Sequence, residues 1–233
     1  MKRMIGKKLL PFKLCLVMAL PLMACGIKEN VAINESNFPD EAFRNYVKGT
    51  FDLDIDFALS GAEIAAAKEI HVKEFGIKSL KGVEYFTELT KLDCGYNELT
   101  SFDVSANTKL EWLTCSGYTL TSLDVTHNPE LTHLYCDRNP IGELDLRNNK
   151  KLTHLLCDSN QLKELDVSNN PALVRLQCTR NELTELDVSA NHALEQLTCF
   201  YNPIEKIDIS KCPCLLEIYV NGKTAYEEKY KRE

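Results

Sequence analysis

Cationic character is what this chain has little of. Lys and Arg number 27 against 34 Asp and Glu, a net charge of −7 over 233 residues. Residues 1–24 hold five basic residues and no acidic one, so the remainder carries −7 − 5 = −12. Such acidity argues against the phosphate-neutralising surface that nucleic-acid binding needs, and against attraction to anionic lipid. Long apolar runs are also missing. The stretch Leu14–Leu22 is too short to span a bilayer as a mature helix. Histidine is scarce: His71, His127, His133, His154 and His192 are the full set, and only His133 and His154 are placed to share a face. No nucleophile with a base and no pocketed carboxylate pair stands out, so a non-catalytic protein is expected.

What the chain does have is a period. Cys94, Cys115, Cys136, Cys157, Cys178 and Cys199 fall 21 residues apart, each closing a Leu-x-Cys triplet that begins at Leu92, Leu113, Leu134, Leu155, Leu176 or Leu197. Ile218 and Val220 continue the series. A fixed period of this length predicts a solenoid. Alternation around Leu92-Asp93-Cys94 predicts a short strand with one face inward. Asn97, Asn139, Asn160, Asn181 and Asn202 follow where the chain must turn, and Tyr118 interrupts that series. A buried Asn there would bond turn backbone. A second Asn series, Asn107, Asn128, Asn149, Asn170 and Asn191, ends at Cys212. The Asp column Asp103, Asp124, Asp145, Asp166, Asp187 and Asp208 repeats as well. Stacked like charges repel unless they accept hydrogen bonds, so turn capping is expected, with weak cation binding as the alternative. One coil buries too little to offset the ordering of its backbone, so neighbouring coils must cover its faces.

The pattern Leu-x-x-Leu-x-Cys-x-x-Asn-x-Leu resembles the leucine-rich repeat family, with Cys at the third strand position. The short second half of each coil, as in Leu183 to Ser189, leaves no room for a helix and resembles internalin-type bacterial surface repeats. The resemblance covers residues 70–222. It implies an α/β repeat solenoid with short parallel strands on a concave face and an extended or 3₁₀ convex side. Ile70, Val72, Ile77, Leu80, Val83 and Phe86 read as an atypical first coil, and residues 223–233 as a polar tail, a short helix or frayed.

The cysteine ladder admits three readings: buried reduced thiols acting as small hydrophobes, stacked disulfides, or a metal ladder. Neighbouring strands place Cα atoms near disulfide distance, but parallel Cβ vectors do not converge. Inward sites lack His or carboxylate partners for a metal. Cys212 and Cys214 are expected to be the exposed pair.

Lys2, Arg3, Lys7 and Lys8 precede the apolar stretch, which ends at Leu22-Met23-Ala24-Cys25. This resembles the signal peptide and lipobox of bacterial lipoproteins. It implies removal of residues 1–24, lipidation of Cys25 and a place in the bacterial cell envelope, at the outer membrane or cell surface. Gly26 rather than Asp follows. Ordinary cleavage with Cys25 as a bystander is the alternative. Residues 25–37 then read as lipidated Cys and tether, and residues 38–69 as a helix-loop-helix cap.

Within that cap, Asp52-x-Asp54-x-Asp56-x-Ala58 and Glu63 resemble an EF-hand calcium loop. The sixth position is Phe57 where the family has Gly, a left-handed site costing a non-Gly residue about 1–2 kcal/mol. If the loop binds, Asp52, Asp54, Asp56, the Ala58 carbonyl and Glu63 are the implied ligands for a structural Ca²⁺. The bland reading leaves Glu63 as the helix cap of Ser60-Gly61-Ala62-Glu63.

Side chains flanking each strand Leu vary while the inward ones repeat, as expected of a scaffold presenting a surface. Trp112, His133, His154 and Arg175 form one outward column. Tyr135, Leu156 and Gln177 lie in the next, and Asp137 in a third. These eight are the candidate ligand-binding residues, with Trp112 and Tyr135 as anchors. A transition metal on His133 and His154 is a minor alternative. The function expected is a monomeric, surface-anchored scaffold for protein recognition or adhesion. An envelope structural lipoprotein and a glycan-binding module are the alternatives.

Overall fold

A computed structural model describes residues 30–220 and the backbone of Ala225–Tyr226. The signal segment 1–24, Cys25 and most of the tail lie outside the described residues. Eight strands stack in parallel: β3 (Glu69–His71), β4 (Lys91–Asp93), β5 (Trp112–Thr114), β6 (His133–Tyr135), β7 (His154–Leu156), β8 (Arg175–Gln177), β9 (Gln196–Thr198) and β11 (Glu217–Tyr219). Their order in the sheet is their order in the chain, β3 at one edge and β11 at the other. Leu92 pairs with Leu113, Leu113 with Leu134 and so on, one period per strand. The first step is 22 residues, Ile70 to Leu92. A register fixed by a buried central Leu cannot slip by one without turning that Leu outward.

Inside the coils run columns of buried residues: the strand leucines, the cysteines, and Leu110, Leu131, Leu152, Leu173 and Leu194. The Asn columns close the turns. Asn181 donates through Nδ2 to the carbonyls of Cys157 and Cys178, both at 2.9 Å, and accepts the N–H groups of Asn160 and Leu162. Tyr118, in place of an Asn, is exposed instead. In the second column Asn149 Nδ2 bridges Val125 O and Asn128 O, each at 2.9 Å. Cys212 stands at the end of that column and offers Sγ to Val188 O at 3.5 Å. It is buried, so the expected exposed pair reduces to Cys214 alone. The six ladder cysteines are free thiols, and burial pushes them well above the ordinary thiol range. Cys157 Sγ lies 3.4 Å from Gln177 O.

The convex side is turns and extended chain, with one 3₁₀ turn, Val83–Tyr85. Each Asp of the repeated column accepts the N–H two residues on, as Asp103 does from Ser105 at 2.8 Å and Asp187 from Ser189 at 2.8 Å. Side-chain bonds from the same residues, foremost for Asp124, Asp145 and Asp166, join those backbone bonds in holding the six carboxyls below their usual range. Turn capping is therefore the column's role.

At the first edge sits the cap. Helix α1 (Glu41–Phe51) buries Phe43 and Val47, and Asp40 Oδ1 accepts Phe43 N at its start. Asp40 Oδ2 accepts Lys78 N and Ser79 N in the first coil, so one carboxylate serves both bodies. Gly82, at φ +106, leaves room for Phe38; a Cβ there would lie 2.2 Å from the ring. Helix α2 (Gly61–Ala66) opens with a full capping box, Ser60 and Glu63 bonding reciprocally.

Two segments differ from expectation. The expected tether becomes ordered strand at β1 (Val31–Ala32), which pairs antiparallel with β2 (Ala58–Leu59) and is followed by buried Ile33. Apolar Val31 and Ile33 account for this. In the tail, β12 (Ala225–Tyr226) pairs in parallel with β10 (Lys206–Ile207) where a helix was one expectation. Among the described residues no helix is long and apolar enough to cross a membrane.

Candidate functional site

The sheet alternation turns Trp112, His133, His154 and Arg175 outward as one continuous column. Parallel strands in register bring flat side chains face to face. Trp112 and His133 stack with centroids 4.2 Å apart and planes 12° from parallel, and His133 stacks on His154 at 4.5 Å and 9°. Lys91 Nζ sits 5.3 Å from the Trp112 ring on its other side. Tyr135 meets Trp112 edge-on at 5.1 Å. One face of the indole is thus covered by His133, and its Nε1 donates to Thr114 Oγ1 at 3.0 Å.

The imidazoles are oriented from behind. Thr132 and Thr153 each donate their hydroxyl proton to a carbonyl of the preceding coil, Glu111 O and Thr132 O, both at 2.9 Å. The same oxygens lie 2.9 and 3.0 Å from Nδ1 of His133 and His154. With its proton already placed, each threonine can only accept, so Nδ1 carries the ring hydrogen. Both Nε2 atoms keep a lone pair. Burial lowers the pKa of His133, helped by His154, and that of His154, helped by Arg175. The strip is neutral imidazole at physiological pH. Among the described residues no third ligating side chain joins the two histidines, whose parallel rings do not converge on one metal.

Arg175 ends the stack. Its side chain makes no hydrogen bond or ion pair among the described residues, and its Nε is buried without a partner. Burial raises the pKa of neighbouring Tyr135, and the Arg175 charge opposes that rise. Leu156 and Gln177 are half-buried beside them.

Asp137 is half-buried beside this strip and also bridges coils. Its Oδ1 accepts Asp158 N at 3.1 Å and its Oδ2 accepts Ser116 Oγ at 3.1 Å. Asp158 in turn accepts Thr179 N at 2.6 Å. This third column is a set of coil-to-coil struts. Burial pushes Asp158 up to about 6. The signal was present in Ser116, Asp137, Asp158 and Thr179, all short polar residues at one register.

A groove of about 950 Å³ lies away from this face, lined by Gly142, Arg147, Lys163 and Glu182 among others. Its Asp145 and Asp166 are already committed to the turns described above. The concave strip has the unpaired groups, and it is the better candidate.

In the cap loop, carboxylate oxygens of Asp52, Asp54 and Glu63 lie within 4.8 Å of one another. Asp52 accepts the N–H groups of Asp56 and Phe57, and Glu63 those of Leu53 and Ser60. Burial acts against ionised Glu63, but those donors hold its carboxyl low. Asp54 is raised by desolvation and by its acidic neighbours. Asp56 is not in the cluster; its Oδ1 accepts Ala58 N. Phe57 adopts φ +64, the left-handed value the loop demands, and Ile55 adopts φ +63.

No family model matches the chain. Over 71 residues it is 38% identical to Internalin J of Listeria monocytogenes serotype 4b (strain F2365), a match that takes in 30% of this chain and 8% of that protein. Among solved structures it superposes on internalin C2 of Listeria monocytogenes str. 4b F2365 with a TM-score of 0.68 at 21% identity, covering 84% of this chain and 92% of that one. Internalin F of the same strain gives 0.68 at 20%, over 82% of this chain and 58% of that one. A leucine-rich repeat protein of Leptospira interrogans gives 0.59 at 21%, over 70% and 52%. The fold is a leucine-rich repeat solenoid. At these identities the structural likeness is one of fold.

Proposed function

We propose that this chain is a non-catalytic recognition scaffold of the bacterial surface, held by lipidated Cys25 and binding a protein partner on its concave face. The observation that carries the reading is the unpaired Arg175 guanidinium at the end of the Trp112–His133–His154 stack. The buried columns repeat with little change, whereas this strip varies and ends on an unanswered charge. A partner carboxylate meeting Arg175 would pair it bidentately, and the two Nε2 atoms would accept donors from the same segment. Trp112 and Tyr135 are the aromatic anchors.

The test is capture with the lipid-free ectodomain against envelope extracts and host matrix proteins, followed by an alanine scan. Arg175→Ala and Tyr135→Ala should each cost about 1–4 kcal/mol of binding. Glu164→Ala on the other side should leave affinity unchanged. Equal losses from both sides would remove the site from this face.

A second reading concerns the cap. The convergence of Asp52, Asp54 and Glu63 supports a structural Ca²⁺ in the loop. Millimolar calcium should then raise the Tm of the ectodomain, and Asp52→Ala with Asp54→Ala should abolish the rise. An unchanged Tm would leave Glu63 as a helix cap only.

A further inference from the structure

The cap loop exposes apolar side chains that no core requirement explains. Leu53 is 76% exposed, Ile55 70% and Phe57 54%. Three of the five exposed Leu, Ile and Phe side chains among the described residues therefore sit in one six-residue loop. The alternation is built: Asp52 and Asp56 accept loop N–H groups, and the residues between them are turned out. Ile55 and Phe57 hold left-handed φ values to do so, and β-branched Ile is a true outlier there. Exposed apolar groups clustered at a strained loop mark a contact surface.

The course of the chain says what covers it. β1 runs antiparallel to β2 with Val31 opposite Leu59, so the described chain nearest Cys25 lies beside Ser60, whose N–H and that of Leu53 are both held by Glu63. Asn30 is five residues on from Cys25, a reach of at most roughly 18 Å. Lys48 Nζ, 4.1 Å from the Phe57 ring, adds a cation at the same edge, while Asp54 and Asp56 disfavour an anionic surface. We propose that Leu53, Ile55 and Phe57 rest in the headgroup region of a zwitterionic bilayer, so that the chain is held by two points and not by a lipid on a free tether. The inference rests on lipidation of Cys25.

The test uses full chain extracted from membranes and reconstituted in phosphatidylcholine vesicles with brominated acyl chains. Trp112 is the sole tryptophan, so Phe57→Trp in a Trp112→Phe background gives a single reporter. Leu53→Trp, at ordinary backbone, repeats the measurement should the first variant not fold. Both reporters should lose most of their emission to the bromolipid, while Trp112 of the unaltered protein keeps its own. Detergent phase partitioning of the same samples reports the anchor separately. Partitioning without quenching overturns the loop contact and leaves lipidation standing. Failure to partition overturns lipidation and the contact with it. A blue shift that follows protein concentration without vesicles would assign the loop to a second copy and also overturn the proposal.

Discussion

Asn149→Ala should destabilise the solenoid by about 2 kcal/mol, and the structure says where that figure comes from. The side chain is fully buried, and its Nδ2 makes two bonds of 2.9 Å to Val125 O and Asn128 O. Neither carbonyl is orphaned by the change, because Asn128 N and Leu131 N still donate to them. The loss is thus two net hydrogen bonds at roughly 1 kcal/mol each, with a small cavity added. Removal of Asn149 Oδ1, which is buried and unpartnered, offsets part of it. Cys212→Ala deletes one weak contact at the equivalent position and should cost about 1 kcal/mol or less. Asn149→Asp replaces both donors by a carboxylate facing two carbonyls and should lose about 3–5 kcal/mol. Urea unfolding at pH 7 measures all three, with the slope m compared first because repeat arrays can lose cooperativity. If Asn149→Ala unfolds with the wild-type midpoint, or Asn149→Asp is tolerated as well as Ala, the Asn column is not holding the coils together.

Other changes test other parts. Cys157→Ser should cost a few kcal/mol, since the hydroxyl enters a fully buried site whose nearest acceptor, Gln177 O, lies 3.4 Å from the sulfur; alkylation of the native chain should spare Cys157 and reach Cys214. Gly82→Ala should lower the Tm sharply, because Phe38 occupies the space of the new Cβ and φ is +106. Asp158, raised to about 6, binds its proton more tightly folded than unfolded; its contribution therefore favours the native state at acid pH and fades between about 4 and 6 as pH rises. Asp158→Asn should flatten that slope in a pH series of urea midpoints. The convex aspartates have lowered pKa values and act oppositely, adding stability above about 4 that is lost as pH falls.

The period was legible because each buried position recurs without exception at Leu92 through Leu197, and one repeated pattern fixes strand, register and core together. The Asn columns were legible for the same reason. The concave strip was only half legible. Its membership follows from strand alternation, but whether Trp112 would lie open or stack under His133 depends on rotamers set by Lys91 and Thr132, which no pattern announces. The bonds of Ser116, Asp137 and Asp158 across coils were not legible, because a column of unlike residues does not look like a ladder. β1 was missed since two residues carry no periodicity at all.

Asp40 also makes the cap and the repeats depend on each other. Its second oxygen needs Lys78 and Ser79, which lie 38 and 39 residues later in the chain. The cap is closed by the first coil. The N-terminal body thus depends on a segment that follows it in the chain, whereas each later coil packs on the one 21 residues behind it.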